Sequence, residues 1–314
     1  MQMTIERPNS RLRPSNRQQI AWQGWAIELP ARWNPVKLEG TFEQGYALFA
    51  DLHRPRLGIR WSRDRRITKD PKRWVAQTMR DEVGQLASAE AQPFPAAGAA
   101  SDQSLLYLEP EPPGRDVWIG YSRVSDRLFQ VIHHARRRER ILPDHLLPTM
   151  ADQSNQPLRR WAVLDLSCQV PAFLKLEKPL LFAGDLGLRF AGPKSELIVR
   201  QIAPASLALT RMPLESWLRR QQRDRKKHYR PSKKPIERTI QTDDGRELTG
   251  IEAPLPRRRR FFWHVRRLPM LHTITVHDAA RDRLVIVQGG GEGLDLQQVI
   301  RSVGWAGADT LDRS

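Results

Sequence analysis

The densest chemistry in this sequence is cationic. Arg219, Arg220 and Arg223 lead into Lys226 and Lys227, and Arg257, Arg258, Arg259 and Arg260 run directly into Phe261, Phe262 and Trp263. Guanidinium forks grip the oxygens of an anion in pairs, and a neighbouring ring can stack on an unpaired base. Residues 219–267 are therefore a candidate surface for an anionic partner, either a nucleic acid or the acidic face of a protein. A plainer pattern competes. Phe261, Trp263 and Val265 alternate as one face of a strand would, with the arginines left in water. That alternation does not reach 257–260, which follow Pro254 and Pro256 as a loop would.

Other reactive residue types are scattered. His133 and His134 are adjacent, so on a strand they face opposite ways, and the odd separation of His272 and His277 does the same. No metal site is expected, and with Cys168 the sole cysteine, structural zinc and an internal disulfide are both excluded. Cys168 falls mid-strand in an alternating segment, where a small buried thiol is inert. Leu284-Val-Ile-Val-Gln-Gly289-Gly-Gly-Glu-Gly293 resembles a strand and phosphate-cradling turn, but no parallel βαβ unit follows it. Asp243-Asp244-Gly245 reads as a hairpin turn rather than a catalytic carboxylate pair. No catalytic residue and no cofactor is expected.

The elements that carry these residues repeat. Trp25-Ala-Ile-Glu-Leu-Pro30 is answered by Leu166-Ser-Cys-Gln-Val-Pro171, each an alternating strand closed by proline. Apolar segments follow at 46–49 and 186–190, then Leu57-Gly-Ile-Arg-Trp61 and Leu197-Ile-Val-Arg-Gln201. Pro71 and Pro213 each precede a run free of glycine and proline that contains Trp74 or Trp217, a helix-start signal. In the first copy Val75, Met79, Val83 and Leu86 mark an apolar helical stripe. Asp126-Arg-Leu-Phe-Gln-Val-Ile132 corresponds to Asp282-Arg-Leu-Val-Ile-Val-Gln288. Leu146, Leu147 and Met150 share their spacing with Val299, Ile300 and Val303, which predicts a closing helix in both halves.

This order of elements resembles the PsbP-like superfamily. The resemblance rests on the strand ending at Pro30 or Pro171, the helix holding Trp74 or Trp217, and the final Leu296-Gln-Gln-Val-Ile-Arg-Ser-Val303, and it spans most of both halves. It implies α+β units acting as adaptors or binding proteins, with no catalytic residues to carry over. The expected fold class is α+β: two tandem antiparallel-sheet domains with flanking helices. The expected division is a disordered basic tail (1–20), a first repeat (21–151), a linker (152–157), a second repeat (158–308) and a tail (309–314).

The chain has 314 residues, room for about two domains. It is 39% hydrophobic and 28% charged, which excludes a wholly disordered chain, and no apolar run approaches the ~18 residues of a membrane helix. Lys and Arg number 52 against 35 Asp and Glu, a formal charge of +17, with +6 in residues 1–150 and +11 in the remainder. A reducing cytoplasm suits this composition. The expected function is a non-enzymatic adaptor or accessory binding protein whose basic surface engages an acidic protein. A nucleic-acid-associated role for 219–267 is the alternative, and an enzyme with an inter-domain site is a third.

Overall fold

The computed structural model describes residues 17–94, 103–110, 114–135, 141–210, 212–223, 235–255 and 270–304. The chain divides into two compact units by its contacts. Among the described residues, unit one takes 17–20 and 26–152, and unit two takes 21–25 and 153–304.

The described chain opens on β1 (Arg17–Trp22) and β2 (Trp25–Pro30), joined through Gln23 and Gly24, both at positive φ, as a two-residue hairpin turn requires. Residues 17–20 of the expected disordered tail are thus strand, while 1–16 and the tail 309–314 lie outside the described residues. The chain continues through β3 (Asn34–Gly40), β4 (Gln44–Ala50) and β5 (Pro55–Ser62). It then passes through α1 (Arg65–Lys69), α2 (Pro71–Val83) and α3 (Gln85–Ser88), and returns as β6 (Gln92–Pro93), β7 (Ser104–Tyr107), β8 (Gly114–Ser122) and β9 (Arg127–Ala135). These strands form one antiparallel sheet of order β3-β4-β5-β9-β8-β7-β6. Pro71 starts α2 where its missing N–H costs nothing, and Asp70 caps it by accepting from the Arg73 amide. Val75 and Met79 then bury against Val117, Ile119, Tyr121 and Leu128 on the sheet. The opposite face of the sheet is sealed by large side chains, among them Phe49, Trp61, Trp118 and Phe129.

A closing helix was expected over Leu146, Leu147 and Met150. The segment instead makes a π turn at Leu142–Leu146 and a 3₁₀ turn at Leu147–Thr149, because Pro148, past the first turn, cannot donate to an α-helical ladder. The apolar side chains are still buried. β10 (Ala151–Asp152) ends the unit. Asp152 belongs to that strand and not to a loose connection. Its carboxylate, 1% exposed, accepts from the fully buried Arg127 guanidinium at 3.3 Å and from the Ser125 hydroxyl.

The second unit repeats the plan. β11 (Leu158–Val163) and β12 (Leu166–Pro171) form a hairpin, and Ala21 lies opposite Ala162 with Trp22 edge-on to Trp161. β13 (Lys175–Phe182), β14 (Asp185–Ala191) and β15 (Ser195–Ile202) precede α4 (Ala205–Leu209) and α5 (Leu214–Arg223). β16 (Ile236–Gln241), β17 (Glu247–Leu255), β18 (Leu271–Asp278), β19 (Arg283–Gly291) and α6 (Leu296–Arg301) follow. The sheet order is β13-β14-β15-β19-β18-β17-β16, the connectivity of the first sheet. Trp217 and Leu218 of α5 bury with Ala205, Ala253 and Leu284. Asp126 and Asp282, at φ 57° and 53°, occupy matching turns ahead of β9 and β19, a conformation that aspartate tolerates better than most residues.

Each sheet begins on an exposed edge strand with the same device. Pairing slips between Pro35 and Lys37 in β3 and between Leu176 and Lys178 in β13, beside Pro179. Proline, lysine and a bulge all spoil an edge as a template for further strands.

The fold class read from the sequence is overturned. Strands make up 52% of the described residues and helices 21%, so the protein is mostly β, not an α+β fold with flanking helices. The reason is length. Among the described residues most helical signals produce four to six residues of helix, and only α2 (13 residues) and α5 (10 residues) reach two turns or more. No helix among the described residues is long and apolar enough to cross a membrane.

Candidate binding cleft

The helix face of the first sheet is only half covered. α2 lies over β7, β8 and the start of β9, which leaves the side chains of β3, β4 and β5 facing an open cleft of about 700 Å³. Strand register dictates what meets there. Glu39 lies opposite Tyr46, Tyr46 opposite Arg60, and Arg60 opposite Gln130, so four neighbouring strands place one polar row across the floor. Trp74 and Thr78 of α2 line the wall.

The Tyr46 ring lies over Gly58 of β5, where a Cβ would make ordinary contact with it. Tyr46 then receives two cations on its π face: the Arg60 guanidinium at 5.4 Å and the Lys37 ammonium at 5.8 Å from the ring centroid. Arg66 sits 5.4 Å over the Trp74 ring.

The cations differ in how they are neutralised. Lys37 reaches Glu39 at 2.8 Å. Arg63 lies 3.5 Å from Glu43 and 3.4 Å from Asp126. Arg66 is bonded to Asp64 at 2.6 Å; its guanidinium and backbone N–H hold the Asp64 carboxyl below the usual carboxylate range. Arg60 is different. Its exposed side chain meets Tyr46 but makes no hydrogen bond or ion pair with any described residue. The arrangement can hold an anion beside aromatic surface. Among the described residues no group of three or more His, Cys, Asp or Glu could hold a metal.

Of the cationic residues singled out in the sequence, the structure places two on one helix. Arg219 and Arg220 point outward from α5, Arg219 held by Glu215 at 2.6 Å and Arg220 exposed without a partner among the described residues. Arg223 ends that helix; its side chain, together with Lys226, Lys227, Arg257, Arg258, Arg259 and Arg260, lies outside the described residues. The cleft around Arg60 was missed. The motifs containing Arg60 and Arg200 correspond in the sequence, but whether either arginine is neutralised depends on a neighbouring strand.

The remaining candidates are structural. Cys168 is fully buried in β12, and burial pushes its thiol up to about 12. His133 meets Asp116 at 3.2 Å and stacks on Trp33, with both polar side chains buried. Gly290 serves packing: a Cβ there would fall 2.1 Å from the Met270 carbonyl oxygen, so glycine permits the strand approach. Gly245, at φ 83°, turns the β16–β17 hairpin after Asp243 and Asp244. No protein-family model matches this chain, and no curated protein was found to match it.

Proposed function

We propose that this chain is a non-enzymatic adaptor or accessory binding protein whose basic surface engages an acidic protein partner. The observation that carries this reading is Arg60, an exposed guanidinium beside Tyr46 at the floor of an open cleft, with no anion of the described chain to neutralise it. The formal charge of +17 adds long-range attraction for an acidic surface. Arginine suits the task because its fork pairs with a carboxylate in two parallel hydrogen bonds, and such charge-assisted contacts are worth about 1.5–3 kcal/mol each.

The test is titration of the full chain with a fluorescent oligo-glutamate peptide and with an uncharged peptide of equal length. Saturable binding of the acidic peptide alone, weakening with salt, is the expected result. Equal binding of both, or of neither, refutes the proposal.

A second reading has one observation in its favour: Arg219 and Arg220 face outward from α5. A nucleic-acid-associated protein using residues 219–267 would shift DNA or RNA at low salt. It would lose affinity with a log–log salt slope of roughly −0.9 per phosphate contacted on duplex DNA. Substituting Arg257, Arg258, Arg259 and Arg260 with Ser should flatten that slope, and absence of any shift at low salt disposes of this reading.

A further inference from the structure

We infer that the first unit is a receptor for a carboxylate side chain on an extended acidic segment of its partner, and that the second unit has closed the equivalent site with a carboxylate of its own. This rests on the adaptor reading above and specifies where and what it binds.

The second unit supplies the argument. Arg60 and Arg200 hold the same place in the two sheets: Arg60 lies opposite Tyr46 on β4 and Gln130 on β9, and Arg200 lies opposite Gly187 on β14 and Ile286 on β19. Two residues earlier along the partner strand, Gln44 faces Ser62 in the first unit and Asp185 faces Ile202 in the second. Asp185 takes both edges of the Arg200 fork, from Nε at 2.6 Å and from Nη2 at 2.5 Å, while Gln221 of α5 accepts from Nη1 at 3.3 Å. The Asp185 hydrogen bond raises the Arg200 pKa further above its ordinary value.

Arg200 is therefore saturated from within its own unit. Its counterpart is not. Gln44 brings an uncharged amide where Asp185 brings a carboxylate, and no described side chain takes its place at Arg60. The first unit adds a ring instead: Tyr46 stands where Gly187 stands in the second, and the Arg60 guanidinium over that ring is held ready with its fork unspent. The Arg200–Asp185 pair is thus an intramolecular copy of the contact that Arg60 makes with a partner's Asp or Glu. An extended segment fits because the cleft is an open half-sheet beside a helix edge, not an enclosed cavity.

The experiment places a carboxylate back into the first unit. Gln44→Asp in the full chain should reproduce the self-neutralised pair and weaken oligo-glutamate binding about tenfold or more, as should Arg60→Gln. Both positions are exposed, so unchanged circular dichroism melting is expected and is checked in parallel. Asp185→Asn, which frees Arg200, should leave the first site intact and not reduce binding. Wild-type affinity in Gln44→Asp and Arg60→Gln overturns this inference but leaves the adaptor reading standing, because binding then occurs elsewhere. Absence of peptide binding in the wild-type chain defeats the adaptor reading itself. Inorganic phosphate or a single-stranded oligonucleotide displacing the peptide at lower concentration than free glutamate overturns the assignment to a carboxylate.

Discussion

Asp152 provides the sharpest test of the architecture, because the sequence places it in a linker and the structure places it in a buried ion pair. Asp152→Ala removes the carboxylate facing Arg127, whose side chain is 0% exposed. Arg127 would keep its bonds to Ser125 Oγ at 2.9 Å and the Phe42 carbonyl at 3.1 Å, and its place over the Phe42 and Phe129 rings at 4.4 and 4.9 Å. Removing one partner of a buried ion pair costs about 3–5 kcal/mol. In a unit of about 150 residues each kcal/mol lowers the melting temperature by about 2–4 °C, so a drop of roughly 6–20 °C is expected. The assay is urea denaturation followed by circular dichroism, with two controls. Replacing both partners, Arg127→Met with Asp152→Leu, should recover most of the loss, because no buried charge remains. Asp165→Ala should cost less than about 1 kcal/mol, because its pair with Arg283, the counterpart of Arg127, leaves the carboxylate 61% exposed. A loss under about 1 kcal/mol in Asp152→Ala would refute the buried pair and restore the linker.

Three further outcomes follow from other parts of the molecule. Cys168 should resist thiol reagents near pH 8 in the native protein, since burial pushes its thiol up to about 12, and should label only as urea unfolds the second unit; rapid native labelling contradicts its place in β12. Gly290→Ala should destabilise by about 1–3 kcal/mol, because the new methyl lands 2.1 Å from the Met270 oxygen, and a neutral result in urea denaturation would rule out that close approach. Asp282 accepts from the Ser206 hydroxyl and backbone N–H, which lower its pKa. Its stabilisation is therefore present above the unfolded value of about 3.9 and fades as pH falls through the folded value, so Asp282→Asn should be less stable than wild type at neutral pH, the gap closing in acid. A gap independent of pH would show that the carboxylate charge plays no part.

What could be read in advance was local and periodic. Trp25–Pro30 and Leu166–Pro171 are strands with the same order of buried and half-buried positions, because alternation and a terminal proline are sufficient cues. Pro71 marks the start of α2 for an equally local reason. Helix and strand are hard to balance where local cues conflict: Leu146, Leu147 and Met150 have helical spacing, but Pro148 among them cannot donate to an α-helical ladder. Asp152 sits among Gln, Ser, Asn and Pro, a composition that signals a linker, while the arginine that fixes it lies 25 residues earlier. The cleft was hidden for a similar reason. Arg60 is one arginine among many in the sequence, and only the register of β4 against β5 shows that Gln44 stands where a neutralising aspartate stands in the other half.

The bulged, proline-bearing first strands of the two sheets carry a consequence for synthesis and refolding. Two sheets of one connectivity on a single chain meet at an effective concentration of the order of millimolar, whatever the dilution of the protein, and a strand of one could be captured by the other. Pro35 and Lys37 in β3, and Lys178 and Pro179 in β13, are poor bait for such exchange, since each proline removes a donor from the row a foreign strand would need and each lysine adds a charge beside the bulge. The same irregularity at the same place in both copies works as a barrier to self-entanglement, a hazard that any duplicated β-sheet brings with it.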